Sequence, residues 1–195
     1  MKWFVADLHF DNKELFPGTR GSSFEDMDEW RDVLLTSIHL YVQPCDTLYI
    51  LGDFTYTRKA MVKYRQILPK KVNFFLIRGN HDPSLDTCKK IFGQYNARDT
   101  MEVRVKDMPT WLSHYPHAYW PKSHYGAFHL YGHMHGMREH TMDCNEPRRR
   151  SMDVSPENIH RHVGRWGPIN EQEVFEILMK KDGHDPVSWY RTYYP

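Results

Sequence analysis

Short apolar runs that stop abruptly at a glycine or a polar residue recur along this chain. Lys2-Trp3-Phe4-Val5-Ala6, Thr47-Leu48-Tyr49-Ile50-Leu51 and Val72-Asn73-Phe74-Phe75-Leu76-Ile77 are rich in β-branched and aromatic residues and too short for helices, so they read as buried strands. Further strands are expected at residues 110–114, 127–131 and 151–155. Between the first runs the period changes. Met27, Trp30, Leu34, Ile38 and Tyr41 recur at three- and four-residue spacing, giving a helix with one apolar face that Pro44 closes. Ser22-Ser23-Phe24-Glu25 reads as its capping box. A second helix is expected over Thr57 to Leu68, stopped by Pro69, a short one from Pro83-Ser84 to about Ile91, and another over roughly Glu171 to Lys181.

Strand, helix and strand over residues 2–51 form a βαβ unit with parallel strands. From Asp99 the texture becomes alternating. Met101, Val103 and Val105 are separated by Glu102, Arg104 and Lys106, the pattern of a half-buried antiparallel strand. The tail from Asp182, aromatic and containing Pro186 and Pro195, reads as irregular. With 195 residues and no repeat or linker, one domain over 1–195 is expected.

Composition excludes several classes of function. The 26 Lys+Arg nearly balance the 25 Asp+Glu, so no basic stripe announces a long nucleic acid or a membrane surface. No apolar run approaches the roughly 20 residues of a membrane span. Functional-looking residues begin at position 7, leaving no room for a leader peptide. Cys45, Cys88 and Cys144 form neither a disulfide framework nor a thiolate metal site, which fits a reducing, cytoplasmic setting. The unusual count is thirteen histidines, nine of them between His114 and His162.

The strand ends carry the chemistry. Asp7-Leu8-His9 follows the first run, Gly52-Asp53 the second, and Gly79-Asn80-His81-Asp82 the third. His114 ends the next strand, and Gly132-His133-Met134-His135 follows the last. In open α/β sheets ligands collect just outside such carboxyl ends. Singly, Asp7, His9, Asp53 and Asn80 are ordinary turn residues; their recurrence with His114, His133 and His135 sets them apart. Oxygen and imidazole donors without sulfur suit borderline divalent ions. Seven ligands exceed the needs of one ion. With Asp53 bridging, they divide into Asp7, His9, Asp53 and His135 around one metal and Asp53, Asn80, His114 and His133 around another. Two ions about 3.5 to 4 Å apart activate a bridging water and stabilise both oxygens of an in-line phosphoryl displacement.

These blocks, in this order over residues 7–135, resemble the five signature motifs of the calcineurin-like metallophosphoesterases. The resemblance implies an α/β fold, a four-layer αββα sandwich with two mixed β-sheets flanked by helices, and the same ligand partition. It implies that His81 sits beside the metals and contacts the phosphate or protonates the leaving oxygen, with Asn80 and Arg78 also facing substrate. Mn²⁺ is the expected ion because family members commonly use it, with Fe, Zn, Ni or Mg as alternatives. In the phosphoprotein phosphatase branch the Gly-Asp block continues with an aspartate and an arginine. Here Phe54-Thr55-Tyr56-Thr57 follows Asp53, which argues against a protein phosphatase. Arg78 matches an arginine of that branch, or is a surface charge at a strand end.

The expected activity is therefore hydrolysis of a phosphodiester or phosphomonoester, on a small phosphoester or nucleotide substrate, with extended nucleic-acid binding not indicated. The alternative is an inactive scaffold on the same fold. His117, Trp120, His124 and Tyr125 form an aromatic loop that is either a substrate rim or a packed surface. Arg148-Arg149-Arg150 either steers a polyanion or lies in a solvated loop. His39, His129, His140, His160, His162 and His184 are read as structural.

Overall fold

The strands β1 (Lys2–Val5), β2 (Thr47–Ile50) and β3 (Asn73–Ile77) lie side by side and parallel in a computed structural model that describes residues 1–12, 24–137 and 149–181. The helices α1 (Met27–Tyr41), which its periodicity predicts, and α2 (Arg58–Ile67), expected ahead of Pro69, make the crossovers. The helix α3 (Leu85–Phe92) leads to β4 (Ala97–Arg98), which adds parallel to β3. On the other side of β1 the short antiparallel strand β9 (Ile169–Asn170) completes a five-stranded mixed sheet in the order β4-β3-β2-β1-β9.

A second mixed sheet has the order β5-β6-β7-β8, from β5 (Thr100–Val105), β6 (Met108–Ser113), β7 (Phe128–Tyr131) and β8 (Ser151–Asp153). The alternating segment is the outer strand β5, antiparallel to β6 across a tight turn in which Lys106 takes φ 51°. The strands β6, β7 and β8 are parallel, so both sheets turn carboxyl ends toward loops that carry polar residues. The helices α4 (Pro156–Val163) and α5 (Glu171–Lys180) follow, and α5 contacts β1, β9 and β5. Two mixed sheets flanked by five helices among the described residues are thus the α/β arrangement expected.

One hydrophobic cluster runs from Trp3 to Leu178, with Phe4, Trp30, Leu48 and Phe128 fully buried. Trp30 of α1 packs edge-on against Phe24 and Trp166, which draws the entry of α1 into the core. That packing moves the helix start. Its cap is Asp26, whose carboxylate accepts from the N–H groups of Asp28 and Glu29, and not the expected box at Ser22 to Glu25. Ser22 and Ser23 lie outside the described residues, as do Cys144, Arg148, His140, His184 and the tail from Asp182. Thr57 and Ser84 cap α2 and α3 as their positions predict. The helix α4 was not foreseen, because Ile159 is the sole large aliphatic residue it buries and a single apolar position has no period. No helix among the described residues is long and apolar enough to cross a membrane.

Candidate metal centre

The loop after β1 places Asp7 and His9, the loop after β2 Asp53, and the loop after β3 Asn80 and His81. From the second sheet, the end of β6 delivers His114, and the turn after β7 delivers His133 and His135. Backbone bonds stitch the loops together: Asp7 N–H donates to Gly52 O at 3.0 Å, His9 N–H to Asp53 O at 2.8 Å, and Gly132 N–H to His114 O at 2.9 Å. Across the sheets, His133 N–H donates to the Asp7 carboxylate at 2.9 to 3.0 Å, and His114 Nδ1 lies 2.9 Å from Leu51 O.

Holding these side chains inward demands unusual backbone. Asp7, His9, Asp53, His133 and His135 all have positive φ, between 45° and 72°. Asp and His tolerate this region better than most residues, and such local strain concentrates at functional sites. Of the motif glycines Gly52 takes a positive φ of 89° and Gly79 does not, yet close approach requires glycine at both. A Cβ on Gly79 would stand 2.1 Å from Asp53 Oδ1, one on Gly52 2.2 Å from His114 Nδ1, and one on Gly132 2.7 Å from Asp7 Oδ2. Each glycine is space for a candidate ligand.

The side chains converge in two groups, Asp7 with His9 and His135, and Asp53 with His114 and His133. Within each group the donor atoms lie within 4.8 Å of one another. Asp53 links the two groups, since its Oδ2 is 3.4 Å from His114 Nε2 and 3.5 Å from His9 Nε2. Asn80 Oδ1 is 3.0 Å from His114 Nε2, on the Asp53 side. The donor set fits divalent ions of borderline hardness: carboxylate, imidazole and amide oxygen converge, and Asp7, His9, Asp53 and His114 are almost wholly shielded from water.

Burial and mutual charge set the protonation. Burial pushes the Asp7 carboxyl upward, against the lowering pull of His135 and His114. Burial would also raise Asp53, but hydrogen bonding and charge from His114, with His9 and the His81 N–H, hold it at about 2. His114 is pushed down by burial and more strongly up by Asp53 and Asp7, to about 9. His133 is lowered by burial and by neighbouring His114.

His81 stands at the edge. Its N–H donates to Asp53 Oδ1 at 2.9 Å, while its ring, 32% exposed, keeps Nε2 at 3.9 Å from Asp53 Oδ2. Asp82 turns inward and accepts from the N–H groups of Asp53, Phe54, Thr55 and Gly79, joining the second and third loops. Burial raises its carboxyl to about 6 despite those bonds. Arg78 pairs with Asp99 at 3.0 Å in a half-exposed ion pair.

Other residues around the centre carried no readable signal. Glu157, at the start of α4, places Oε1 3.3 Å from His135 Nδ1, which leaves Nε2 for the cluster. Asp153 accepts from Gly136 N–H at 2.6 Å and fixes the turn bearing His133 and His135. Tyr115 packs its ring 4.8 Å from His133. Glu157 and His135 lie 22 residues apart on different elements, and nothing local to either names the other. The aromatic loop is a packed one in part: Trp120 is buried and donates to Ala127 O, and Arg149 donates to Ala118 O and His117 O. His129 is buried among Trp111 O and His117 N–H, His39 bonds Ile67 O, and His160 stacks on Trp166.

No protein with a curated description matches this chain. Among solved structures it is similar to a protein of unknown function from Aquifex aeolicus, with 28% identity, a TM-score of 0.66, and 91% of this chain and 98% of that one covered. An archaeal phosphodiesterase is aligned at 15% identity and a TM-score of 0.48, over 83% of this chain and 86% of that one. A phosphoesterase from E. coli follows at 16% and 0.42, over 87% and 81%. The family model of the calcineurin-like phosphoesterases matches residues 3–192, and with its motif residues gathered at one edge of two mixed sheets the chain belongs to that family.

Proposed function

We propose that the chain is a dinuclear metal-dependent phosphoesterase that prefers a phosphodiester. The observation that carries this reading is Asp53, whose one carboxylate oxygen lies within 3.5 Å of a histidine from each of the two ligand groups. Asp7, His9, Asp53 and His135 would hold one ion, and Asp53, Asn80, His114 and His133 the other. Two such ions, Mn²⁺ being the first choice, would supply a deprotonated water at neutral pH and neutralise charge on the phosphoryl oxygens.

The chain's own residues do the rest. Asp53 is held ionised by His114 and oriented by the His81 N–H. Asp82 ties the Asp53 and His81 loops into one unit, which keeps their spacing fixed when substrate binds. The His81 ring lies on the open side of the cluster, where it reaches the leaving oxygen or the phosphate. A diester suits this site because Arg78, the candidate phosphate cation, is engaged by Asp99. A diester monoanion needs less positive charge beyond the metals than a monoester dianion does.

The test is hydrolysis of bis-p-nitrophenyl phosphate against p-nitrophenyl phosphate in a series of divalent metals. Diester cleavage that requires metal and is abolished by Asp53→Asn is the expected result; a monoester preference would turn the assignment toward a phosphatase. His81→Asn should cost about 10²- to 10⁴-fold in rate, the contribution of a positioned general acid, while metal content stays unchanged. Inactivity with every ion, in a protein that binds none, would leave a scaffold.

A further inference from the structure

Tyr56 is a polar aromatic residue in the stretch after Asp53 that the proposed chemistry does not use. Its ring lies on the His81 imidazole, with centroids 4.4 Å apart and planes inclined by 28°. Its hydroxyl stands 3.5 Å from His81 Nε2, at the outer limit of a hydrogen bond, so the ring face makes the stronger contact. His9 is the next ring in the row, 5.5 Å from His81 and 6.4 Å from Tyr56.

The backbone beneath Tyr56 is anchored. Asp11, in the loop after β1, accepts from Tyr56 N–H at 2.7 Å, Thr57 N–H at 3.0 Å and the Thr57 hydroxyl at 2.9 Å. Phe10 N–H donates to Phe54 O at 3.2 Å, and Thr57 caps α2. The loop that supplies Asp7 and His9 therefore also fixes the turn that lays Tyr56 over His81. A free imidazole on an open edge samples several rotamers. One pressed between an aromatic face and Asp53 samples few, and proton transfer depends on such orientation.

We propose that Tyr56, held by Asp11, is the positioning residue of His81, and that it restrains the imidazole toward the leaving oxygen. Because Tyr56 is 42% exposed beside the same edge, an aromatic leaving group also meets its open flank. The inference rests on the role given to His81 in the proposed function.

The experiment compares wild type, Tyr56→Phe, Tyr56→Ala, His81→Asn and the Tyr56→Ala/His81→Asn double variant, all metal-loaded, on aryl phosphodiesters of graded leaving-group pKa. Tyr56→Phe keeps the ring contact and should stay within about threefold of wild type. Tyr56→Ala should lose roughly two- to tenfold in kcat on a good leaving group, the worth of one aromatic pair. The loss should grow as leaving-group pKa rises, because poor leaving groups need the proton. In the His81→Asn background the Tyr56→Ala change should have no further effect on kcat. Independently of turnover, ¹H–¹⁵N correlation of the His81 ring in the zinc-loaded chain should show a shifted, broadened imidazole in Tyr56→Ala and a wild-type signal in Tyr56→Phe.

A loss in Tyr56→Ala that is equal for all leaving groups, or that persists in the double variant, would overturn the inference while leaving the phosphoesterase reading intact. Full activity of His81→Asn, or no metal-dependent hydrolysis by the wild type, would instead remove the reading beneath it. Asp11→Asn, which weakens the anchor without touching the ring, should reproduce the leaving-group trend at smaller size; a rise in KM alone would also count against positioning.

Discussion

At the residue scale, the paired charge of Asp53 and His114 governs how the metal-free chain responds to pH. Asp53 is lowered to about 2, so its contribution to stability is present above its ordinary pKa near 3.8 and lost as pH falls through 2. His114 is raised to about 9 from 6.5, so its contribution is complete below 6.5 and lost as pH rises through 9. Thermal melts in EDTA should therefore show this contribution at its fullest from about pH 4 to 6.5, with Asp53→Asn flattening the profile. On the proposed ligand set the same proton would oppose metal: an ion bound by His114 near neutrality would expel it, so affinity should rise from pH 6 to 9, and calorimetry in buffers of different ionisation enthalpy should register proton release. Glu157 acts one bond further out. If it fixes His135 with Nε2 toward the cluster, Glu157→Ala should weaken metal binding about 10- to 100-fold, and an unchanged affinity would deny it that part.

At the scale of elements, the strands were readable because each ends where apolar texture stops, the helix α1 because one face is apolar over several turns, and α2 because Pro69 stops it. What local pattern lacked was any measure of closeness. Gly132 looks like a turn residue, yet a Cβ there would meet Ala6 Cβ at 2.5 Å and Leu51 O at 3.1 Å, atoms of the other sheet. Gly132→Ala should thus wedge the sheets apart and cost about 1 to 3 kcal/mol or more, roughly 2 to 4 °C in Tm for each kcal/mol. Gly164→Ala is the control. No atom lies within 4 Å of its would-be Cβ, so it should bear only the cost of its φ of 72°. The two-residue strands β4 and β9 and the helix α4 were invisible for a related reason: none is long enough, or apolar enough, to set up a period.

At the scale of the whole molecule, candidate ligands from both sheets share one centre, so a metal bound there would tie the sheets together. An ion binding only the folded state at about 100 to 1,000 times its Kd adds roughly 2.7 to 4.1 kcal/mol. Metal should therefore raise Tm by about 5 to 15 °C over the EDTA-treated chain, an increase that Asp53→Asn abolishes. Net charge of +1 makes a second expectation. Cleavage of a small diester should fall by about threefold or less between about 50 and 200 mM salt, the effect of one phosphate contact, whereas a site built for long duplexes would lose orders of magnitude. The sequence by itself determined the order of motifs, the strand ends that bear them, and the donor types, because strand termination and ligand chemistry are local properties. Only the tertiary structure decided that Asp7 meets His133 across 126 residues, that Glu157 backs His135, and that Tyr56 covers His81. Those contacts come from how two sheets and their loops pack, and no periodicity within either partner records the distance to the other.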